Sequence, residues 1–96
     1  MEIMTGGWEF NQTLPTVNLP AELESIFRSA AAKNLGGTFE PLGFLCSQVV
    51  NGFNYKFLAY VAPHVSGGAT GKAKIAIVQI YVDLEGNAKI TKVIDI

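Results

Sequence analysis

Cys46 and His64 are the only cysteine and the only histidine in the chain, so any thiol–imidazole or Ser–His nucleophile must draw on His64. Such a pair works because the base takes the nucleophile's proton while a third group orients the base. His64 stands in a Pro/Gly-rich stretch, Pro63 to Gly71 (PHVSGGATG), and nothing in the pattern supplies an orienting group. Cys46 falls mid-strand, where a thiol is usually buried and inert. One His and one Cys are too few for a zinc ligand set, and the carboxylates are scattered over helix and turns. Gly67, Gly68 and Gly71 do not open a helix behind a strand, and no Gly-Lys-Ser/Thr occurs, so phosphate cradling has no support. The expectation is a protein that is not an enzyme and takes neither cofactor nor metal.

The elements that carry these residues follow from hydrophobic period. Leu19, Leu23, Ile26, Phe27, Ala30 and Ala31 form one apolar stripe at helical spacing, with Asn18 expected as N-cap and Pro20 in the first turn. Glu22 and Glu24 suit the positive end of the helix dipole and Lys33 the negative end. Gly36-Gly37 is expected to end the helix, one of the two as a left-handed C-cap. Thereafter the period is two. Strands are expected at Phe39–Val50, bent near Pro41 and Gly43, at Phe53–Ala62, Lys74–Val82 and Ala88–Ile96. Asn51-Gly52 and Asp83–Asn87 read as hairpin turns, and Trp8 with Phe10 as a short edge strand. Phe39, Phe44, Tyr55 and Phe57 are expected in the core, Tyr60 and Tyr81 on the far sheet face, and His64 in solvent. The fold class is α+β, one long helix packed across a four- to five-stranded antiparallel sheet.

Composition narrows the partners. Ninety-six residues with 49% hydrophobic content make a single domain, residues 1–96, with one core. Seven basic residues spread without a run, and a net charge of −1, argue against nucleic acid and anionic membranes. No apolar run approaches the ~20 residues of a membrane helix. The opening MEIMTGGWEF has no basic segment followed by an apolar core, so it does not read as a signal peptide. A cytoplasmic protein is expected, or a secreted one if residue 1 follows a removed leader. Asn11-Gln12-Thr13 has the form of a glycosylation acceptor, a tripeptide that chance supplies often.

Gln48-Val49-Val50-Asn51-Gly52 raises a separate question. Successive strand side chains point to opposite faces, so at most one of the adjacent valines can face a one-sided core. The pentapeptide resembles the Q-x-V-x-G signature of the cystatins, protein inhibitors of papain-like cysteine proteases. Asn54-Tyr55 and the apolar strand behind it extend the resemblance, as do Gly6-Gly7 and the segment from Gln79 to Gly86 (QIYVDLEG). The order of trunk, helix and four antiparallel strands is also the cystatin order. Short length and the absence of cysteine pairs are most similar to the stefin branch, whose members lack disulfides and signal peptides.

The resemblance implies a cystatin-like fold and a reversible, non-covalent inhibitor. A trunk and two hairpin tips would form a wedge that fills a papain-like protease cleft without offering a cleavable bond. Carried over by position, the protease-binding residues are Met4, Thr5, Gly6 and Gly7 in the trunk. Gln48, Val49, Val50, Asn51 and Gly52 make the first loop, and Asp83, Leu84 and Glu85 the second. An apolar tip on both faces would then explain the paired valines. Many cystatins carry Pro-Trp where this chain has Asp83-Leu84. That exchange forfeits ~50–100 Å² of apolar contact, or ~1–3 kcal/mol. Thr5 is more polar than an apolar subsite favours. A monomer is expected, with a domain-swapped dimer open to the first hairpin. The alternative is a cystatin-fold interaction module that does not inhibit proteases; exposure of Val49, Val50 and Leu84 discriminates between the two.

Overall fold

A computed structural model describes residues 7–10, 19–64 and 71–96. The elements in chain order are β1 (Trp8–Phe10), α1 (Ala21–Ala32), β2 (Gly37–Val50), β3 (Gly52–Pro63), β4 (Lys74–Val82) and β5 (Ala88–Asp95). The strands form one antiparallel sheet in the order β1-β2-β3-β4-β5. The helix packs across one face of it, so the α+β layout expected from the change of period holds.

The helix begins at Ala21, with Pro20 in the capping position at φ −52° and ψ 142° and no side-chain cap. The Pro20 carbonyl accepts the first helical bond, from the Glu24 N–H at 3.0 Å. Proline suits this place because its missing N–H would have no helical partner. Asn18, the expected cap, lies outside the described residues, as do Leu14 to Val17. Glu22 and Glu24 occupy the first turn as the dipole argument requires.

The end of the helix differs from expectation. Neither Gly36 nor Gly37 has positive φ, so neither is a left-handed cap. Lys33 stays right-handed, and the Lys33 and Asn34 N–H groups bond to the Ala30 and Ala31 carbonyls at 3.2 and 3.1 Å. The tightened last turn satisfies those carbonyls without a change of hand. The Asn34 side chain then accepts the Gly36 N–H at 3.0 Å, which turns the chain toward β2. Gly37 is small for a separate reason: a Cβ there would lie 3.1 Å from the Ala62 carbonyl oxygen on β3.

Phe27 and Ala30 are the buried helical residues, and Leu23, Ile26 and Ala31 pack around them. Phe27 meets Phe57 of β3 edge-on, with ring centroids 5.3 Å apart and an interplanar angle of 78°. The helix-side face of the sheet carries Phe39, Phe57, Ala59, Val61, Ala76, Val78, Ile80, Val82 and Ala88, all buried. Phe44 and Tyr55 are partly buried beside them, and burial, more than the nearby Glu22 carboxylate, pushes the Tyr55 phenol up. The small pair Ala59–Ala76, register partners on adjacent strands, lets the helix approach the sheet closely.

β2 is broken in register between Pro41 and Gly43, as its sequence indicates, and again between Phe44 and Cys46. The second irregularity leaves Leu45 without a partner on β3 and keeps Phe44 on the helix side while Cys46 falls on the other. A third lies opposite Thr91 on β5. Bulges increase local twist and bend the strand that carries them.

His64 is exposed, as expected, and it is also held by two contacts. Its Nδ1 lies 3.1 Å from the Leu35 carbonyl oxygen and its Nε2 3.1 Å from the Thr38 hydroxyl. A carbonyl only accepts, so Nδ1 carries the proton. The residues between His64 and Gly71 lie outside the described set. None of the described helices is long and apolar enough to cross a membrane.

Candidate functional site

Trp8, Gln48, Asn54, Tyr81 and Lys89 are successive register partners across all five strands. Val49, Phe53, Val82 and Ala88 form the next rung outward. Among the described residues, Gly7, the Val50–Asn51–Gly52 tip and the Asp83–Asn87 turn lie beyond these rungs. Gly7, the first loop and the second loop thus share one edge of the sheet. At a strand spacing of ~4.8 Å, five strands make that edge about 19 Å wide. Met4, Thr5 and Gly6 lie outside the described residues.

The tip is as short as a hairpin allows. Val50 pairs with Gly52 in register, leaving Asn51 alone at the apex. Gly52 holds φ at +114°, a region L side chains rarely adopt. It is also crowded, since a Cβ there would lie 2.4 Å from the Val82 carbonyl oxygen and 2.9 Å from the Tyr81 hydroxyl. The neck below is braced by Asn54 Nδ2 donating to Gln48 Oε1 at 2.9 Å. Gln48 therefore braces the hairpin as well as belonging to the loop signature.

The second turn is organised by one carboxylate. Asp83 Oδ1 accepts the Glu85 and Asn87 backbone N–H groups at 3.0 and 2.9 Å, and Oδ2 accepts Asn87 Nδ2 at 3.3 Å. The backbone bond from Asn87 is the main reason the Asp83 carboxyl sits below the usual aspartate range. Backbone bonds from Asp83 N–H to the Asn87 carbonyl and from Gly86 N–H to the Asp83 carbonyl, both 3.0 Å, close the loop. Gly86, at φ +88°, has open space around it. The acidic charge of Asp83 is committed to the turn, whereas Glu85 and Leu84 project into solvent.

Among the described residues, three apolar side chains stand exposed along this edge: Val50 at 36%, Phe53 at 42% and Leu84 at 70%. Val49 is half-buried. Phe53 was not among the expected binding residues. Its ring stacks on Tyr55 at 6.1 Å, and Tyr55 in turn lies 6.4 Å from Phe57, so a file of rings ties the rim to the core. Periodicity puts Phe53 on the core face with Tyr55 and Phe57, yet it stands exposed while Val82 and Ala88 on the same rung are buried.

The residues with chemical potential lie elsewhere or are inert. Cys46 is 3% exposed, on the face away from the helix, and burial pushes its thiol up, outweighing the opposing effect of Lys56. Lys56 itself stands over the half-buried Trp8 ring at 4.3 Å, a cation–π contact that fastens β1 to the sheet. Among the described residues, no group of three or more His, Cys, Asp or Glu gathers as a metal site. The chain matches no family model, and neither a curated protein nor a solved structure is found to be similar to it.

Proposed function

We propose that this protein is a reversible, non-covalent inhibitor of papain-like cysteine proteases, similar to the stefin branch of the cystatins and acting without chemistry of its own. The observation that carries this reading is the shared rung: Gly7, the Val50–Gly52 tip and the Asp83–Asn87 turn emerge from one edge of one sheet. A rim about 19 Å wide, with Val50, Phe53 and Leu84 exposed on it, suits insertion into an elongated cleft. Protease–inhibitor contacts bury about 1,600 Å² in total. Loops fixed on a rigid sheet supply such contact with little ordering cost. A lone, buried thiol suits a reducing compartment, and we place the protein in the cytoplasm.

Titration of papain and a cathepsin-L-like enzyme with the purified chain tests the proposal, with active-site-blocked papain as a second target. Inhibition is expected to be stoichiometric, and the blocked enzyme to bind as well, because a plug needs no free thiolate. Val50→Asp and Gly6→Glu are each expected to weaken inhibition at least tenfold. Full proteolytic activity in large excess of the protein would refute the reading.

A second reading is an interaction module of the same architecture that does not inhibit proteases. What favours it is a separate apolar patch on the sheet face away from the helix, where Tyr60, Ile75 and Ile94 are exposed around the register pairs Tyr60–Ile75 and Ile77–Ile94.

A further inference from the structure

We propose that Tyr81 is a positioning residue for the protease-binding edge, a latch whose hydroxyl fixes the first loop relative to the second; this rests on the inhibitor reading above. Tyr81 lies on β4, two residues before Asp83 opens the second turn. Its hydroxyl donates to the Asn51 backbone carbonyl at the apex of the first hairpin. An apex residue has no ladder partner of its own, so this bond joins the otherwise free apex directly to the neighbouring strand. The Tyr81 ring edge also lies against Gly52, since a Cβ at that glycine would meet Tyr81 Cε1 at 3.1 Å as well as the hydroxyl. Glycine at 52 thus serves two purposes: it permits the turn and leaves room for the ring that holds it. Within the Gln48–Gly52 signature, the final glycine and Tyr81 form one device.

The consequence is preorganisation. A hairpin tip with a one-residue apex could otherwise sway about its neck, and each swayed geometry is unfit to enter a cleft together with Leu84. Removing the hydroxyl while keeping the ring leaves the core untouched but lowers the fraction of molecules whose tip is in place. The apparent affinity falls with that fraction. The loss appears in the association rate and leaves the dissociation rate of the docked complex unchanged, whereas loss of a direct contact with the protease would raise the dissociation rate.

The test is Tyr81→Phe, in the full chain, by two measurements. Amide hydrogen exchange in the free protein should quicken at Asn51, Gly52 and Phe53 by about five- to tenfold, with β3–β4 ladder amides such as Phe57 and Val78 unchanged. Binding to active-site-blocked papain by surface plasmon resonance should show association slowed by up to about tenfold and dissociation unchanged. Unaltered exchange at the tip overturns the latch. So does a faster dissociation with unchanged association, which would make the hydroxyl a contact residue. If the unaltered protein does not bind papain, the inhibitor reading fails, and the exchange arm alone then decides whether Tyr81 holds the tip.

Discussion

Gly52→Ala separates crowding from backbone strain at the first loop. Gly52 holds φ at +114°, and an alanine kept there costs ~1–3 kcal/mol in strain. The new Cβ would also sit 2.4 Å from the Val82 carbonyl oxygen, well inside van der Waals contact. That oxygen is backbone and cannot swing aside. Val82 is paired to Phe53 on one side and Ala88 on the other, so relief means disturbing one or two ladder bonds at about 1 kcal/mol each. The sum is ~2–5 kcal/mol, a large part of the ~5–15 kcal/mol that holds a domain folded. For a domain of this size it lowers the melting midpoint by roughly 8–40 °C. Gly86→Ala is the internal control, because φ there is +88° with nothing within 4 Å of the new Cβ. It should cost only the strain, ~1–2 kcal/mol. Urea unfolding of both variants, with unchanged m-values, measures the difference directly. If Gly52→Ala proves no more destabilising than Gly86→Ala, the close approach of β4 to the hairpin tip is wrong. The latch assigned to Tyr81 would then lose its footing.

Leu84→Trp should tighten protease inhibition roughly ten- to hundredfold by adding ~50–100 Å² of apolar contact, measured as the inhibition constant against papain, with stability unchanged because Leu84 is exposed. The second turn should depend on pH only in acid: the Asp83 carboxyl is held low by the Asn87 and Glu85 bonds, so its contribution is complete above the ordinary aspartate value of ~3.9 and lost as pH falls through the lower folded value. Amide resonances of Glu85 and Asn87 should hold constant from pH 7 to about 5, titrate below about 3.9, and stop titrating in Asp83→Asn. Cys46 should resist a thiol reagent in the native protein by about two orders of magnitude relative to the urea-unfolded chain; equal rates would contradict its 3% exposure.

The helix and four long strands were legible because each presents its period over many residues: a stripe from Leu23 to Ala31, and alternation from Tyr55 to Val61. The bend at Pro41–Gly43 was legible from two residues unsuited to a straight ladder. The irregularity that leaves Leu45 unpaired was not, since an extra leucine fits an apolar strand as well as a regular one does. The helix end was misjudged because Gly36-Gly37 has the composition of a left-handed cap, while Lys33 and Asn34 had already closed the last turn. Gly37 answers instead to Ala62 across the ladder, a long-range constraint invisible to local pattern. Turn residues marked both loops, yet neither Phe53 nor Tyr81 could be assigned to the rim without the register. Phe53 reads as core until its exposure at the rim is seen, and Tyr81 reads as sheet surface until its hydroxyl is seen at Asn51.

The adjacent valines show why the rim needed both kinds of information. Register puts Val49 opposite Phe53 on the helix-side face and Val50 opposite Gly52 on the other. Alternation is thus obeyed, and the pair is anomalous only if one face is assumed to meet water. At the rim that assumption fails in both directions. On the first face Phe53 is 42% exposed, and the second face offers Val50 at 36%. A tip apolar on both sides, carried on a neck braced by Gln48 and Asn54, keeps 36% of its second valine in water, area that the fold itself leaves uncovered. The free energy of that exposed area is available only when something encloses the tip from both sides at once. A flat partner would cover one valine and leave the other wet. A cleft covers both, and Val50→Asp should therefore weaken binding to a cleft far more than binding to any flat surface.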